Sequence, residues 1–305
     1  MNQEKKKYET EWSFSFGNLG ESISQTLAAL GIGEDAEVKS SHFEELIETA
    51  TEAKVVLEPT VGQARVSALL AAADNLFEAD VTYIGEIRFE VREEDNRKSV
   101  ILRQHVKSDV LKPIRDALGS FARRDELKWD MRLTPRIPLD VQINSGVTVN
   151  DFDLSALQLT ALRINGGTGK TDLKLPQLAT HYPVTLNSGT GELNVDVPAG
   201  SSIDLTANNG TGQTHIDFGA GSAVNARITG GIGQCVVTVP ADAPVRLKAT
   251  TGLGKVHVPQ NFIRVKVDEF VATVGTWETP NYATAERRID IKYDGGIGSF
   301  TIQLA

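Results

Sequence analysis

Leu162–Pro176 reads LRINGGTGKTDLKLP, and Val184–Pro198 reads VTLNSGTGELNVDVP. Position by position the two agree: apolar, polar, apolar, Asn, a Gly-Thr-Gly step, then polar–apolar alternation up to a proline. Alternation with a period of two is that of a strand buried on one face. The glycine pair supplies a corner that tolerates positive φ. Proline, lacking an amide donor, closes a strand rather than sitting inside a ladder. Each copy therefore predicts strand, glycine bend, strand and return loop.

The pattern extends outward from this pair. Marker glycines stand at Gly146, Gly167, Gly189, Gly210, Gly231, Gly252, Gly275 and Gly296, at intervals of 21 to 23 residues. Apolar residues occupy the positions five and three before the marker (Leu162/Ile164, Leu205/Ala207, Phe270/Ala272, Ile291/Tyr293) and four, six and eight after it (Leu193/Val195/Val197, Cys235/Val237/Val239). Val195, Ile216 and Val237 share one register and are expected to stack in the interior. Two residues before the marker stand Asn144, Asn165, Asn187 and Asn208, followed by Thr229, Thr250, Thr273 and Asp294. Identical amides on stacked strands can hydrogen-bond from rung to rung, so this row is expected to be a structural ladder. Gly167, Gly189, Gly210, Gly231, Gly252 and Gly296 are expected to be its structural turns.

The predicted fold class is all-β, a repetitive parallel β-solenoid-like stack of roughly 21-residue two-strand repeats. A β-sandwich would also use short strands with regular turns, whereas a propeller blade needs four strands and about 40–45 residues. A further copy is expected around Gly62, and a looser one around Gly85 with Ile87, Phe89 and Val91 after it. Trp129, Met131 and Leu133 restore strand alternation after an irregular stretch whose Asp109–Arg124 part suits a short helix broken by Pro113. The predicted division is an arm or cap over 1–53, first repeats over 54–104, an insertion or linker over 105–132, and the main stack over 133–305. The arm combines the basic run Lys5–Lys7 with a short helical face, Ile23, Leu27 and Leu30.

Composition narrows the function. The 305 residues carry a net charge of −9, and a phosphate-binding surface needs a basic face, so nucleic acid is not an expected partner. The single cysteine, Cys235, cannot form an internal disulfide. No window is apolar enough to span a membrane, and no apolar leader follows the N-terminus. A cytoplasmic protein is expected, although a mature secreted chain stripped of its leader would read the same way. Glu4, Glu9, Glu11 and Glu21 offset the lysines of the arm, so membrane association through that arm is expected to be weak and to run through a protein partner.

No catalytic, cofactor-binding or metal-binding constellation is expected. Gly166–Thr171 reads GGTGKT, like the end of a phosphate-binding loop, yet Ile164 stands where the leading glycine belongs and Leu173 and Leu175 continue a strand instead of a helix. His42, His105, His181, His215 and His257 show no zinc spacing. Asp196 and Asp217 fall on neighbouring repeats and are expected to be a solvated face.

Leu162–Pro176, Val184–Pro198, Val224–Pro240 and the copy at Leu57–Leu70 resemble the bacterial toastrack family, which includes the C-terminal domains of LiaF-like membrane-stress proteins and related adhesin-like domains. The resemblance covers residues 54–305 and implies a non-catalytic domain that works by protein–protein interaction beside envelope-stress components. It makes the leading expectation a scaffold or sensor-adaptor with protein partners and a capacity for self-association. The alternative is a cell-surface adhesin-like or carbohydrate-binding repeat protein. The resemblance implies that many relatives carry transmembrane segments ahead of this domain, and none is expected within this sequence.

Overall fold

The computed structural model describes residues 38–106, 127–267 and 274–305. The arm features at Lys5–Lys7 and Ile23–Leu30, the expected Asp109–Arg124 helix and the Phe270/Ala272 pair lie outside the described residues. Among the described residues the regular structure is twenty-one β-strands and one short 3-10 turn, Tyr282–Thr284. The fold is the all-β repeat architecture expected from the alternation. The chain forms two compact units, Met1–Phe152 and Asp153–Ala305.

The first unit contains β1 (Lys39–Leu46), β2 (Glu52–Glu58), β3 (Val61–Ala68), β4 (Asn75–Tyr83), β5 (Glu86–Glu94), β6 (Arg97–His105), β7 (Lys128–Leu133), β8 (Leu139–Asn144) and β9 (Val147–Asp153). β1 lies inside the span read as an arm. β2 runs parallel to both β6 and β8, and β3 runs parallel to both β7 and β9. The β2–β3 rung is thus placed between two rungs that follow it in sequence. β6 and β7 make one such rung.

Two expectations need correction here. Gly62 pairs with Thr148, not with Gly146, so it is the second residue of its bend and the marker position is Thr60. Because the strand period is two, a slip of two residues keeps Val55, Leu57 and Val66 inside, each fully buried. The Gly85 copy is not a parallel rung: β4 runs antiparallel to β7 and β5 antiparallel to β6. β1 then adds antiparallel to β4. Phe43 of β1 and Phe77 of β4 meet Phe89 of β5 at ring separations of 5.2 and 5.9 Å, so the two strand layers close over one aromatic core.

The second unit contains β10 (Leu159–Asn165), β11 (Thr168–Lys174), β12 (Tyr182–Asn187), β13 (Thr190–Val197), β14 (Ser202–Asn208), β15 (Thr211–Phe218), β16 (Ala223–Thr229), β17 (Ile232–Val239), β18 (Val245–His257), β19 (Ile263–Val267), β20 (Val274–Glu278) and β21 (Ile289–Leu304). The rungs marked by Gly167, Gly189, Gly210 and Gly231 follow one another in parallel register. Val195, Ile216 and Val237 are stacked in that register, each 2% exposed or less. The next rung in space is not the next in sequence. β21 pairs in parallel with β16 and β17 on one side and with β18 on the other, so the Gly296 rung lies between the Gly231 and Gly252 rungs. Gly275 is not a rung marker. It sits in β20, which runs antiparallel to β18 and to β19, and a Cβ there would meet the Trp277 ring at 2.5 Å.

The glycine columns explain why this register is strict. Gly191, Gly212, Gly233 and Gly298 have φ between 137° and 141°, a region that disfavours side chains. A Cβ on any of them would lie 1.7 or 1.8 Å from the carbonyl oxygen of the glycine one rung back. The same columns let bend amides reach the preceding rung: Thr190 donates to the Gly167 carbonyl, Thr211 to Gly189, Ile232 to Gly210 and Ile297 to Gly231, each at 2.9 Å. At the β2–β3 rung the Gln104 side chain also bonds the bend amides. Its Oε1 accepts from the Thr60 and Val61 amides at 2.9 and 3.3 Å, and its Nε2 donates to the Ile84 carbonyl.

Candidate functional site

Alternation that buries one side chain leaves the next on the outside, so the strands present rows of polar groups one rung apart. In the asparagine row, Asn187 Nδ2 donates to Asn165 Oδ1 and Asn208 Nδ2 donates to Asn187 Oδ1, both at 2.7 Å. Asn144, in the first unit, donates to Glu58 Oε1 at 3.0 Å. Thr229, Asp294 and Thr250 continue the register beyond Asn208 in that spatial order.

On the strands after the bend, Lys170 lies 3.4 Å from Asp172 and 3.3 Å from Glu192. Asn194 Nδ2 donates to both of these carboxylates, at 2.6 and 2.7 Å. The Asn194 hydrogen bond holds the Glu192 carboxyl below its ordinary range, and the Glu192 contact raises Lys170. The lysine of the GGTGKT segment is thus engaged on a strand, with β11 beginning at Thr168. Asp196 and Asp217 are register partners, and Asp217 pairs with His215 at 3.2 Å.

One constellation escaped the sequence reading. His181 Nδ1 lies 3.1 Å from Ser202 Oγ, and its Nε2 lies 3.1 Å from Asp204 Oδ2. The contact with His181 lowers the Asp204 carboxyl. The signal was there in outline, because 181 and 202 are one repeat apart. An imidazole bridging a hydroxyl and a carboxylate has the order of a hydrolytic triad, but acyl transfer also needs amide donors aimed at a developing oxyanion. These side chains stand on an exposed strand face, with His181 and Asp204 both about half exposed.

The buried reactive groups are held inert. Burial pushes the Cys235 thiol up to about 12, and burial, with Cys235 beside it, pushes the Tyr293 hydroxyl to about 12. Both line a small depression against Gly210, Gly231 and Gly233, whose room of about 10 Å³ suits a single water. In the first unit Lys98, 1% exposed, donates to Glu45 Oε1 and Glu48 Oε2 at 2.6 Å and to the Leu46 carbonyl at 2.8 Å. Burial alone would lower its pKa; the two carboxylates outweigh that and raise it. A lysine so enclosed clamps the turn after β1 instead of meeting a ligand. Among the described residues no three His, Cys, Asp or Glu side chains converge as a metal set, and no helix is long and apolar enough to cross a membrane.

The family model of the N-terminal domain of toast_rack, DUF2154, matches residues 32–196, which is 165 of the 305. The chain belongs to the toast-rack family. No curated protein matches the sequence. Among solved structures, a candidate cell adhesion protein from Clostridium sporogenes shares 17% identity, over 88% of this chain and 100% of its own, with a TM-score of 0.41. A candidate adhesin from Bacteroides fragilis shares 10% identity over 88% and 97%, with a TM-score of 0.28. One from Parabacteroides distasonis shares 10% over 88% and 98%, with a TM-score of 0.26. The match to the toast-rack model ends within β13, and the rungs beyond it keep the same glycine register.

Proposed function

We propose that this toast-rack protein is a non-catalytic interaction scaffold, or sensor-adaptor, that binds protein partners in bacterial envelope-stress signalling through the outer faces of its rungs. One observation carries the reading. The polar side chains of those faces bond to their neighbours along the stack, as in Asn165–Asn187–Asn208 and Lys170–Glu192–Asn194, and build regular rows from rung to rung. Repeat proteins use such extended surfaces for recognition.

The test compares the proteins that co-purify with the full chain at native levels with those retained by the double variant Glu192→Lys/Asp196→Lys. Both positions are outward-facing, so melting is expected to change little, and discrete partners are expected to be lost. The same partners on both chains would remove this face from the proposal. Ester hydrolysis by the intact chain that disappears in Ser202→Ala would overturn the non-catalytic reading.

A further inference from the structure

The rungs of the second unit share one backbone register but not one surface. The residue after the marker glycine is Thr168, Thr190 and Thr211 on the first three rungs and Ile232, Ile297 and Leu253 on the last three, in spatial order. These three aliphatic side chains are 55%, 51% and 73% exposed. They form an unbroken apolar column along the bend edge, one strand spacing, about 4.8 Å, from each to the next. Single exposed aliphatics are ordinary, whereas a contiguous row marks a surface with a use.

A second row changes on the same three rungs. Four residues before the marker stand Arg163, Thr185 and Thr206, and then Arg227, Lys292 and Lys248, all three exposed and side by side in register. Like charges on directly neighbouring strands repel, so the fold gains nothing from this alignment. Lys255 adds a cation two residues beyond Leu253. The strands of these rungs carry Arg227, Arg246, Lys248, Lys255 and Lys292 against Asp290 and Asp294, a net of +3 in a chain whose net charge is −9. Lys292 holds Asp294 at 3.0 Å, and Arg246 is held at 2.7 Å by Glu278 of β20. The Gly167, Gly189 and Gly210 rungs carry three cations against five carboxylates, a net of −2.

We infer that the Gly231, Gly296 and Gly252 rungs form a docking surface for an anionic lipid bilayer, with Ile232, Ile297 and Leu253 entering the interface and the cations meeting the headgroups. The inference goes beyond the protein-partner reading and stands or falls separately from it. An acidic polypeptide would satisfy the cation row and leave the aliphatic column exposed around the bend; a bilayer satisfies both, because its apolar interior lies directly beneath its anionic layer. With the bend edge facing the membrane, Lys255 stands about 7 Å above Leu253 and Lys248 about 16 Å above it, measured along the strand. Long lysine stems shorten that distance, and the attraction persists over a screening length of about 8 Å at physiological salt.

The test uses the full chain and sedimentation with vesicles of phosphatidylcholine containing a minority of phosphatidylserine, against pure phosphatidylcholine. Binding to the anionic vesicles is expected, weakening as salt rises. A lysine near such a surface contributes about 1 kcal/mol and the attraction fades within a screening length, so Lys248→Ala/Lys255→Ala is expected to lower the partition coefficient about fivefold, most of it through Lys255. Leu253→Ser/Ile297→Ser is expected to lower it about tenfold or more, and the control Thr190→Ala/Thr211→Ala to leave it unchanged. All of these side chains lie on the surface, so the variants are expected to melt like the parent, and the two pairs fail independently if one disturbs folding. Absence of binding to anionic vesicles, equal binding to neutral vesicles, or binding indifferent to both pairs would overturn the inference. Capture of polyglutamate but not of vesicles would overturn it too.

Discussion

Within the second unit, the rungs of Gly167, Gly189 and Gly210 and those of Gly231, Gly296 and Gly252 are one design carrying two surfaces. Inside, the Gly231 and Gly296 rungs closely follow the first set, while Val256 and Val258 of the Gly252 rung are only half-buried. Leu193, Val195 and Val197 on one are answered by Cys235, Val237 and Val239 on another and by Phe300 and Ile302 on a third, all buried. Outside, threonine gives way to aliphatic at the bend, a row of Arg163, Thr185 and Thr206 gives way to three cations, and a paired asparagine ladder gives way to Thr229, Asp294 and Thr250. The first three rungs follow the chain; the last three do not. The difference teaches which positions the architecture dictates. Inward residues and bend glycines answer to packing, and the outward rows are free to carry function.

If that division holds, the largest effects must come from inward positions in either set. Ile216 is fully buried, so Ile216→Asp places an unpaired carboxylate in the core and is expected to cost on the order of 4 kcal/mol or more, enough to abolish cooperative melting. Its outward neighbour tests the contrast: Asp217→Asn is expected to stay within about 0.5 kcal/mol of the parent. Equal melting temperatures for the two would break the assigned register.

Bend glycines come next. At Gly212, with φ 137°, a Cβ would lie 1.8 Å from the Gly191 oxygen, whereas Gly221, with φ 66°, has open space around it. Gly212→Ala is expected to cost about 3 kcal/mol and Gly221→Ala about 1 kcal/mol, read by denaturant unfolding. Gly233→Ala, on the other set of rungs, should match Gly212→Ala. A much milder effect there would mean that the last rungs are more loosely stacked than the first.

A smaller effect probes the ladder itself. Asn187 both donates to Asn165 and accepts from Asn208, so Asn187→Ala is expected to cost about 1–2 kcal/mol. Thr250→Ala, in the same row on the last set, is expected to cost less than 0.5 kcal/mol. Equal losses would show that the asparagine row is no more than a solvated face.

The comparison also separates what was legible in the sequence from what was not. Alternation and glycine spacing are local, and both marked the inward residues, as at Val195, Ile216 and Val237. The same locality misplaced Gly62 by two residues, since a period of two cannot distinguish a register from its neighbour two residues away. Rung order is not local. Every rung carries the same glycine columns, so Gly298 fits against Gly233 and Gly254 equally well, and nothing in the pattern reveals that β21 enters between β17 and β18. The antiparallel strands around Gly85 and Gly275 were missed for a related reason, because a strand alternates identically in either direction. The cation row and the contact of His181 with Ser202 depend on which strands are neighbours, and the first became visible only with the fold.

The smallest expected effect is electrostatic and sharpens the contrast at one position per rung. The residue three after the marker is Lys170, Glu192 and Gln213 on the first set and Gln234, Ser299 and Lys255 on the last, so only the first set has an ion pair in this row. Hydrogen bonding to Asn194 lowers the Glu192 carboxyl. A carboxyl lowered by folding adds stability that is present above the unfolded value, about 4.3, and is lost as pH falls through the folded one. The contact with Glu192 raises Lys170. A raised lysine adds stability that is present below the unfolded value, about 10.4, and is lost as pH rises through the folded one. The cluster therefore contributes across the neutral range and fades at both ends. Lys170→Met is expected to lower the melting temperature slightly near neutral pH and hardly at all at strongly acid pH, where Glu192 is protonated in either chain. Lys255→Met, with no such partner in its row, is expected to show a flat difference throughout. A Lys170→Met difference just as flat would mean that the surface pair is too well solvated to matter, as exposed pairs often are.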